Sequence, residues 1–238
     1  KGPDARRRPR AAREAYSPYV ERAAEGANEA DGPFSAACTR VYLVRHGAPV
    51  GSETRRFIGH VDVPLSPRGE DQLEALARRL AATPIAAVYS SDLLRTRRSA
   101  AILGAPHGLA PIEVPALREF AMGRWEGLTA GEIRALDAAA FDDWMAHVGE
   151  FQFPDGENLT QVAERAWPAF QRIVAAHPGA AVAIVAHGGS NRAILCRALG
   201  VPLERILALG QDYAALSILD RTERGFRLVV LNESDPAS

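Results

Sequence analysis

Val41-Tyr42-Leu43-Val44-Arg45-His46-Gly47 decides how this chain is read. A short apolar run rich in strand-forming residues ends in an arginine, a histidine and a glycine. That is the pattern of a strand that delivers two phosphate-seeking side chains to its C-terminal edge, and open α/β sheets bind their ligands at that edge. Far downstream the idea returns, where Ala181-Val182-Ala183-Ile184-Val185-Ala186 runs into His187-Gly188-Gly189. Two apolar strands that each end in His-Gly, with helical sequence between them, predict two imidazoles converging on one site.

Working outward from that stretch, strands and helices alternate. Strand 41–45 leads through a loop to Leu65-Ser66-Pro67-Arg68-Gly69-Glu70, which opens a helix reaching about Ala82. Ser66 is placed as its cap and Pro67 at its first position. Ile85 to Tyr89 reads as a second strand, and Ser91 or Asp92 can cap the helix that follows, ending near Gly104. Ile112 to Val114 and Leu117 to Phe120 read as extended. Residues 121–156 break the alternation with Trp125, Phe141, Trp144, Phe151 and Phe153 and two short helical stretches. Insertions of this length at a ligand edge are usually lids or pocket walls. A long helix from about Glu157 to Ala176 contains Pro168, which should kink it or mark an earlier start. Strand 181–186, helix 189–199 and closing strands near 213–219 and 225–231 complete the pattern. The expected fold class is α/β: a three-layer α/β/α sandwich with a mostly parallel central sheet and a helical lid insertion.

At 238 residues the chain can form one large domain, or one domain with an appendage. Residues 1–39 form an N-terminal extension, flexible or partly helical over 11–24, with the basic run Arg6-Arg7-Arg8-Pro9-Arg10. That run could touch nucleic acid or an acidic partner, but a solvated extension is the expected reading. The domain itself covers 40–232, with a lid at about 121–156, and 233–238 is a C-terminal tail. The chain opens on Lys1 rather than Met, which fits a trimmed product or the continuation of an upstream segment.

A net charge of −1 gives no global field favouring nucleic acid or membrane. Among 28 basic residues only Lys1 is a lysine, so arginine richness alone is no evidence for an anion site. Cys38 and Cys196 make no disulfide or metal pattern. No apolar run approaches the ~18 residues of a membrane helix, and no secretory signal is expected, so a cytoplasmic location is anticipated. With no Walker loop, dinucleotide fingerprint or metal-ligand cluster, no cofactor and no metal are expected.

A neutral imidazole can attack phosphorus and hold the phosphoryl group covalently. It needs cations around it, because phosphoryl transfer is mostly positioning and electrostatics. Arg45 is one candidate; Arg95 is another, in the first turn of a helix that follows a strand. The guanidinium fork suits phosphate better than a lysine point charge does. Taken singly, His46, His187, Arg95 and a loop carboxylate such as Glu119 would each have an ordinary structural role. The ordered set carries the chemical reading.

That set resembles the histidine phosphatase (phosphoglycerate mutase-like) superfamily. The blocks are Leu43-Val44-Arg45-His46-Gly47, the run Phe57-Ile58-Gly59-His60-Val61-Asp62-Val63-Pro64-Leu65-Ser66-Pro67-Arg68-Gly69, and Ser90-Ser91-Asp92-Leu93-Leu94-Arg95-Thr96. They continue with Leu117-Arg118-Glu119-Phe120 plus Gly123-Arg124-Trp125-Glu126-Gly127, and end on His187-Gly188-Gly189, in order over about 41–220. The resemblance implies that His46 is the phosphorylated nucleophile and that Arg45, Arg95 and His187 form the phosphate pocket. It also places Glu119 as proton donor, a sensible role because the leaving alkoxide must be protonated and water then activated. Gly188 lets backbone approach the phosphate, and Ser52 is counted among the substrate-binding residues. His60, His107, His147 and His177 match no catalytic block and are read as surface or loop residues. Trp125 and Trp144 are read as lid packing.

Mutases of this superfamily typically carry asparagine, threonine and tyrosine where this chain has Ser52, Ile58 and Met122. The Gly-x-Trp-Glu-Gly block, Asp155-Gly156-Glu157-Asn158, Gly189 and Arg192 look instead like the alpha-ribazole phosphatase and broad-specificity phosphatase branch. Ala48 departs from the acidic or amide residue usual after Arg-His-Gly. The resemblance therefore implies a metal-independent phosphomonoesterase for a small-molecule phosphate, a nucleoside-like or sugar phosphate fitting the apolar lid. The alternatives are a mutase-type phosphotransferase or an inactive phosphate-binding module. No nucleic-acid or membrane partner is expected, and a homodimer is left open.

Overall fold

The first strand, β1 (Thr39–Arg45), shows why the molecule has three layers. Val41 and Leu43 pack into one apolar cluster while Tyr42 and Val44 pack into another, and all four are buried. A strand buried on both faces needs helices on both faces. The computed structural model, which describes residues 38–234, supplies them. Helices α5 (Leu159–Ala175) and α6 (Gly188–Leu199) cover the Val41/Leu43 face through Phe170, Ile173, Ile194 and Leu195. On the opposite face, α1 (Pro67–Leu80) and α2 (Leu94–Gly104) contribute Leu73, Leu76, Ala100 and Leu103. The basic run 6–10 and the helix expected over 11–24 lie outside the described residues.

The sheet adds β2 (Ile85–Ser90), β3 (Ile112–Glu113), β4 (Ala181–Ala186), β5 (Leu216–Thr222) and β6 (Gly225–Glu233). Its order is β3-β2-β4-β1-β5-β6. The first four strands in that order are mutually parallel, and β5 and β6 close the far side antiparallel. The parallel register sets Arg45 opposite Ala186, so the residues that follow, His46 and His187, leave the sheet side by side.

Local chemistry explains most boundaries. Ser66 caps α1 by accepting from the Gly69 N–H at 3.1 Å, with Pro67 in the first turn as expected. Neither Ser91 nor Asp92 is the cap of α2: Leu93 holds that position, and the Leu94 N–H is taken by Asp62 Oδ1 at 2.7 Å. The Ser91 hydroxyl has other partners, described below. The extended segment expected over Leu117–Phe120 is instead a 3-10 turn, Pro115–Leu117, followed by irregular backbone. Proline favours the turn, and Arg165 takes the carbonyls of Ala116, Arg118 and Glu119 that a neighbouring strand would otherwise have used. Pro168 lies inside α5, which runs through it.

Within 121–156 stand α3 (Ala130–Leu136), whose Thr129 and Glu132 form a capping box, and α4 (Ala138–Ala146), capped by Asp137. They enclose a third apolar cluster built on Trp125, Ile133, Phe151 and Phe153, with Phe57, Phe141 and Trp144 packed against it. Trp125 meets Phe57, Trp144 and Phe153 edge to face, the geometry aromatic pairs favour.

An ion cluster centred on one buried carboxylate ties β1 to β5 and β6. Asp220, 1% exposed, accepts from Arg40 at 2.8 and 3.0 Å and from Arg227 at 3.0 Å. Burial alone would raise its pKa, but the hydrogen bonds and charges of Arg40 and Arg227 outweigh burial and hold it below the usual aspartate range. A depressed folded-state pKa means the stabilisation is present at neutral pH and lost on acidification. Asp220→Ala should cost about 2–3 kcal/mol by denaturant unfolding at pH 7, water screening the partly exposed arginines. The gap between native and variant chains should narrow as pH falls below the ordinary aspartate value of about 3.9. A gap that widens on acidification would contradict this account.

Candidate active site

His46 is 5% exposed and His187 is fully buried, with ring centroids 5.1 Å apart. The Nδ1 of His46 lies 2.7 Å from the Gly47 carbonyl oxygen. A carbonyl can only accept, so Nδ1 carries the proton and Nε2 keeps its lone pair. His187 is held from its other nitrogen, with Nε2 2.7 Å from Ser91 Oγ, which also meets Thr96 Oγ1 at 2.6 Å. The Ser91 hydroxyl can donate to Nε2, leaving Nδ1 as the N–H donor. That Nδ1 is buried and has no protein partner.

Two guanidiniums stand beside these rings. Arg45 donates from Nη1 to the Gln211 carbonyl at 2.5 Å and lies 4.0 Å above the Tyr213 ring, with Nε buried and without a protein partner. Arg95 is 1% exposed and donates to the carbonyls of Val61 at 2.9 Å and Gly59 at 2.7 Å. Burial first, then the Arg45 and Arg95 charges, push the His46 pKa well below its ordinary value against a smaller upward pull from Gly47. His187 is pushed down in the same way, by burial and then chiefly by Arg95. The rings therefore stay neutral among cations, as an imidazole nucleophile requires.

Glu119 reaches the same place from the other side. Both its carboxylate oxygens lie 3.0 Å from the Gly189 N–H, in the first turn of α6. A Cβ on Gly189 would collide with Glu119 Oε1 and the Phe120 ring, so glycine is what lets the two segments meet. A Cβ on Gly188 would come 3.2 Å from Arg192 and 3.4 Å from Arg45 Nε, tight against both guanidiniums. Arg192 itself donates to the Leu209 carbonyl at 2.7 Å. The structure thus brings His46, Arg45, Arg95, His187, Gly188 and Glu119 to one sheet edge. Ser52 belongs to a separate turn, Ser52–Thr54, where its N–H closes onto the Pro49 carbonyl at 3.1 Å.

Several residues at the site carried no signal in the sequence. Gln211 and Tyr213 belong to the segment leading into β5, which antiparallel pairing lays beside Arg45 and His46: Ala214 N–H donates to the His46 carbonyl at 3.1 Å. His60, read as a surface or loop residue, is half-buried and bonded to the Glu119 backbone at 2.7 Å. His147 is exposed beside Asp143, whereas His177 bonds Tyr89. Among the described residues no group of three or more His, Cys, Asp or Glu is arranged to hold a metal ion, and no helix is long and apolar enough to cross a membrane.

Residues 41–234 match the family model of the histidine phosphatase superfamily (branch 1). The chain belongs to that superfamily, and fold and site together define a phosphomonoesterase of the histidine phosphatase type. It is 29% identical over 193 residues to phosphoserine phosphatase 1 of Hydrogenobacter thermophilus, covering 81% of this chain and 92% of that one. It is 31% identical over 184 residues to a probable phosphoglycerate mutase, GpmB, of Serratia proteamaculans, covering 77% and 86%. Among solved structures, a mycobacterial glucosyl-3-phosphoglycerate phosphatase complexed with VO3 superposes with a TM-score of 0.75 at 31% identity, covering 84% of this chain and all of that one.

The electrostatics make a direct prediction. At about pH 6, close to the ordinary histidine pKa, nitrogen NMR of the ligand-free protein should show both site imidazoles neutral. His46 should be the Nδ1–H tautomer. An imidazolium signal from either ring at that pH would overturn the account of burial beside two guanidiniums.

Proposed function

We propose that this chain hydrolyses a small-molecule phosphate monoester through a phosphohistidine on His46. The His46 Nε2 lone pair forms the N–P bond while the P–O ester bond breaks. Glu119 gives its proton to the leaving alkoxide, releasing the alcohol. Water then attacks phosphorus, its proton passes to the Glu119 carboxylate, and the N–P bond breaks to release inorganic phosphate. Arg45, Arg95 and His187 offset the charge on the transferring oxygens, so no metal ion is needed for that task. The observation that carries this reading is a neutral imidazole anchored through Nδ1, leaving Nε2 its lone pair, beside a buried guanidinium from Arg95 and a half-buried one from Arg45.

Hydrolysis is favoured over mutase transfer by what surrounds the pocket. Met122 packs into the aromatic cluster, so that position contributes packing rather than a polar hold on a second acidic group. Ile58 is likewise apolar. Relatives of similar identity are named for phosphoserine, for glucosyl-3-phosphoglycerate and for mutase activity, so a free metabolite in the cytoplasm is the proposed substrate class.

Rapid acid quench with labelled substrate should trap an acid-labile, base-stable phosphoenzyme that is absent in His46→Ala. Chelators should leave turnover intact. Full activity in His46→Ala, or complete loss with a chelator, would sink the mechanism. In a separate assay, 3-phosphoglycerate with a bisphosphoglycerate primer should show little or no isomerisation to the 2-phosphate. Efficient interconversion would restore the mutase reading.

A further inference from the structure

The loop Gly59-His60-Val61 is bonded to both halves of the site at once. On one side its backbone carbonyls, Gly59 O and Val61 O, receive the Arg95 guanidinium at 2.7 and 2.9 Å. On the other, His60 Nε2 lies 2.7 Å from the Glu119 carbonyl oxygen and, a carbonyl being an acceptor only, donates to it. The Glu119 carboxylate then accepts from Gly189. An unbroken line of hydrogen bonds therefore runs from a phosphate-pocket cation, through three consecutive residues, to the arm that carries the carboxylate.

The loop is built to hold that line. Gly59 has φ +52°, and a Cβ there would strike the Glu126 carboxylate. Glu126 Oε1 in turn accepts from the His60 N–H at 2.8 Å and the Met122 N–H at 3.0 Å. The Glu119 carbonyl also receives Arg165 Nη2 at 2.7 Å, but Arg165 pairs with Glu157, outside the phosphate pocket. His60 thus joins the Glu119 arm to the loop that orients Arg95.

We propose that His60 is a positioning residue: by its bond to the Glu119 backbone it fixes the distance between the proton donor and the bound phosphoryl group. The inference rests on the reading of Glu119 as the proton donor and adds to it the group that places it. His60 touches no reacting atom. Its effect is confined to the step in which the leaving group takes a proton, because Arg95 is held by backbone carbonyls that remain when the imidazole is gone.

The experiment compares an alkyl phosphate, whose leaving group needs the proton, with p-nitrophenyl phosphate, whose leaving group scarcely does. Glu119→Gln tests the underlying reading: it should lower kcat on the alkyl ester by about 10²–10⁴-fold and on the aryl ester far less. His60→Leu should reproduce the same selectivity at about 10- to 100-fold, the cost of a small displacement of a catalytic group. His60→Gln, which keeps an N–H donor, should recover most of the loss. In the Glu119→Gln background, His60→Leu should add almost nothing. If Glu119→Gln shows the selectivity but His60→Leu depresses both esters equally, or adds fully to Glu119→Gln, the positioning role is overturned and the donor stands. Should Glu119→Gln itself show no selectivity, the donor assignment falls and this inference with it.

Discussion

The parallel register of β1 against β4 is the constraint on which the rest of the site depends. Arg45 faces Ala186 across the ladder, and the His46 N–H continues it onto the Ala186 carbonyl at 3.0 Å. Because side chains alternate, a shift of one residue would turn Val41 and Leu43 toward the wrong helices and part the two histidines together. The same apolar burial that stabilises the sheet therefore sets the spacing of the imidazoles. The chemistry inherits its precision from strand ends locked in a core, which is a stiffer support than a loop would be.

That placement has an electrostatic cost. Two imidazoles and two guanidiniums share a volume largely closed to water, and a buried charge is expensive unless it is matched. The histidines meet the cost by staying neutral. The arginines meet part of it with carbonyl oxygens, from Gln211 for Arg45 and from Gly59 and Val61 for Arg95. Carbonyl dipoles soften a charge without cancelling it. What would cancel it is an anion, and Arg45 Nε and His187 Nδ1 are both buried donors without protein partners. Under the proposed function a phosphate monoester would supply that charge, and the same imbalance would favour the charge-rich transition state of phosphoryl transfer.

The parts legible in the sequence share one property: each is decided by residues close together along the chain. Apolar runs gave β1, β2 and β4, and Ser66-Pro67 gave the start of α1, because capping and propensity are local. The placement of Arg45, His46, Arg95 and His187 at one sheet edge was legible because each lies at or shortly beyond the C-terminal end of a strand. His60 was not, since its partner is a backbone carbonyl 59 residues away, and backbone leaves no trace in a sequence. Ser91 misled for a related reason. As a potential cap it looked spent on α2, yet its hydroxyl is directed across the sheet to His187. The Leu117–Phe120 segment has strand-like residues, but Arg165 from α5 satisfies its carbonyls and removes any need for a neighbouring strand.

The two sides of the site are consequently held by different physics. The side that carries Arg45, His46, Arg95 and His187 is made of strand ends and helix starts fixed by the apolar core. The Glu119 side, from Pro115 to Gly127, contains no strand and no α-helix; Leu117 and Trp125 anchor it in apolar clusters, and between those anchors its backbone is held by polar side chains: Arg165 on three carbonyls, Glu157 on the Ala121 N–H, Glu126 on His60 and Met122. Each such bond involves a charged group and is worth about 1.5–3 kcal/mol, enough to hold a conformation but replaceable one at a time. A core strand cannot be altered piecemeal in that way. The Glu119 side can therefore vary through single polar contacts while the histidine pair keeps its geometry.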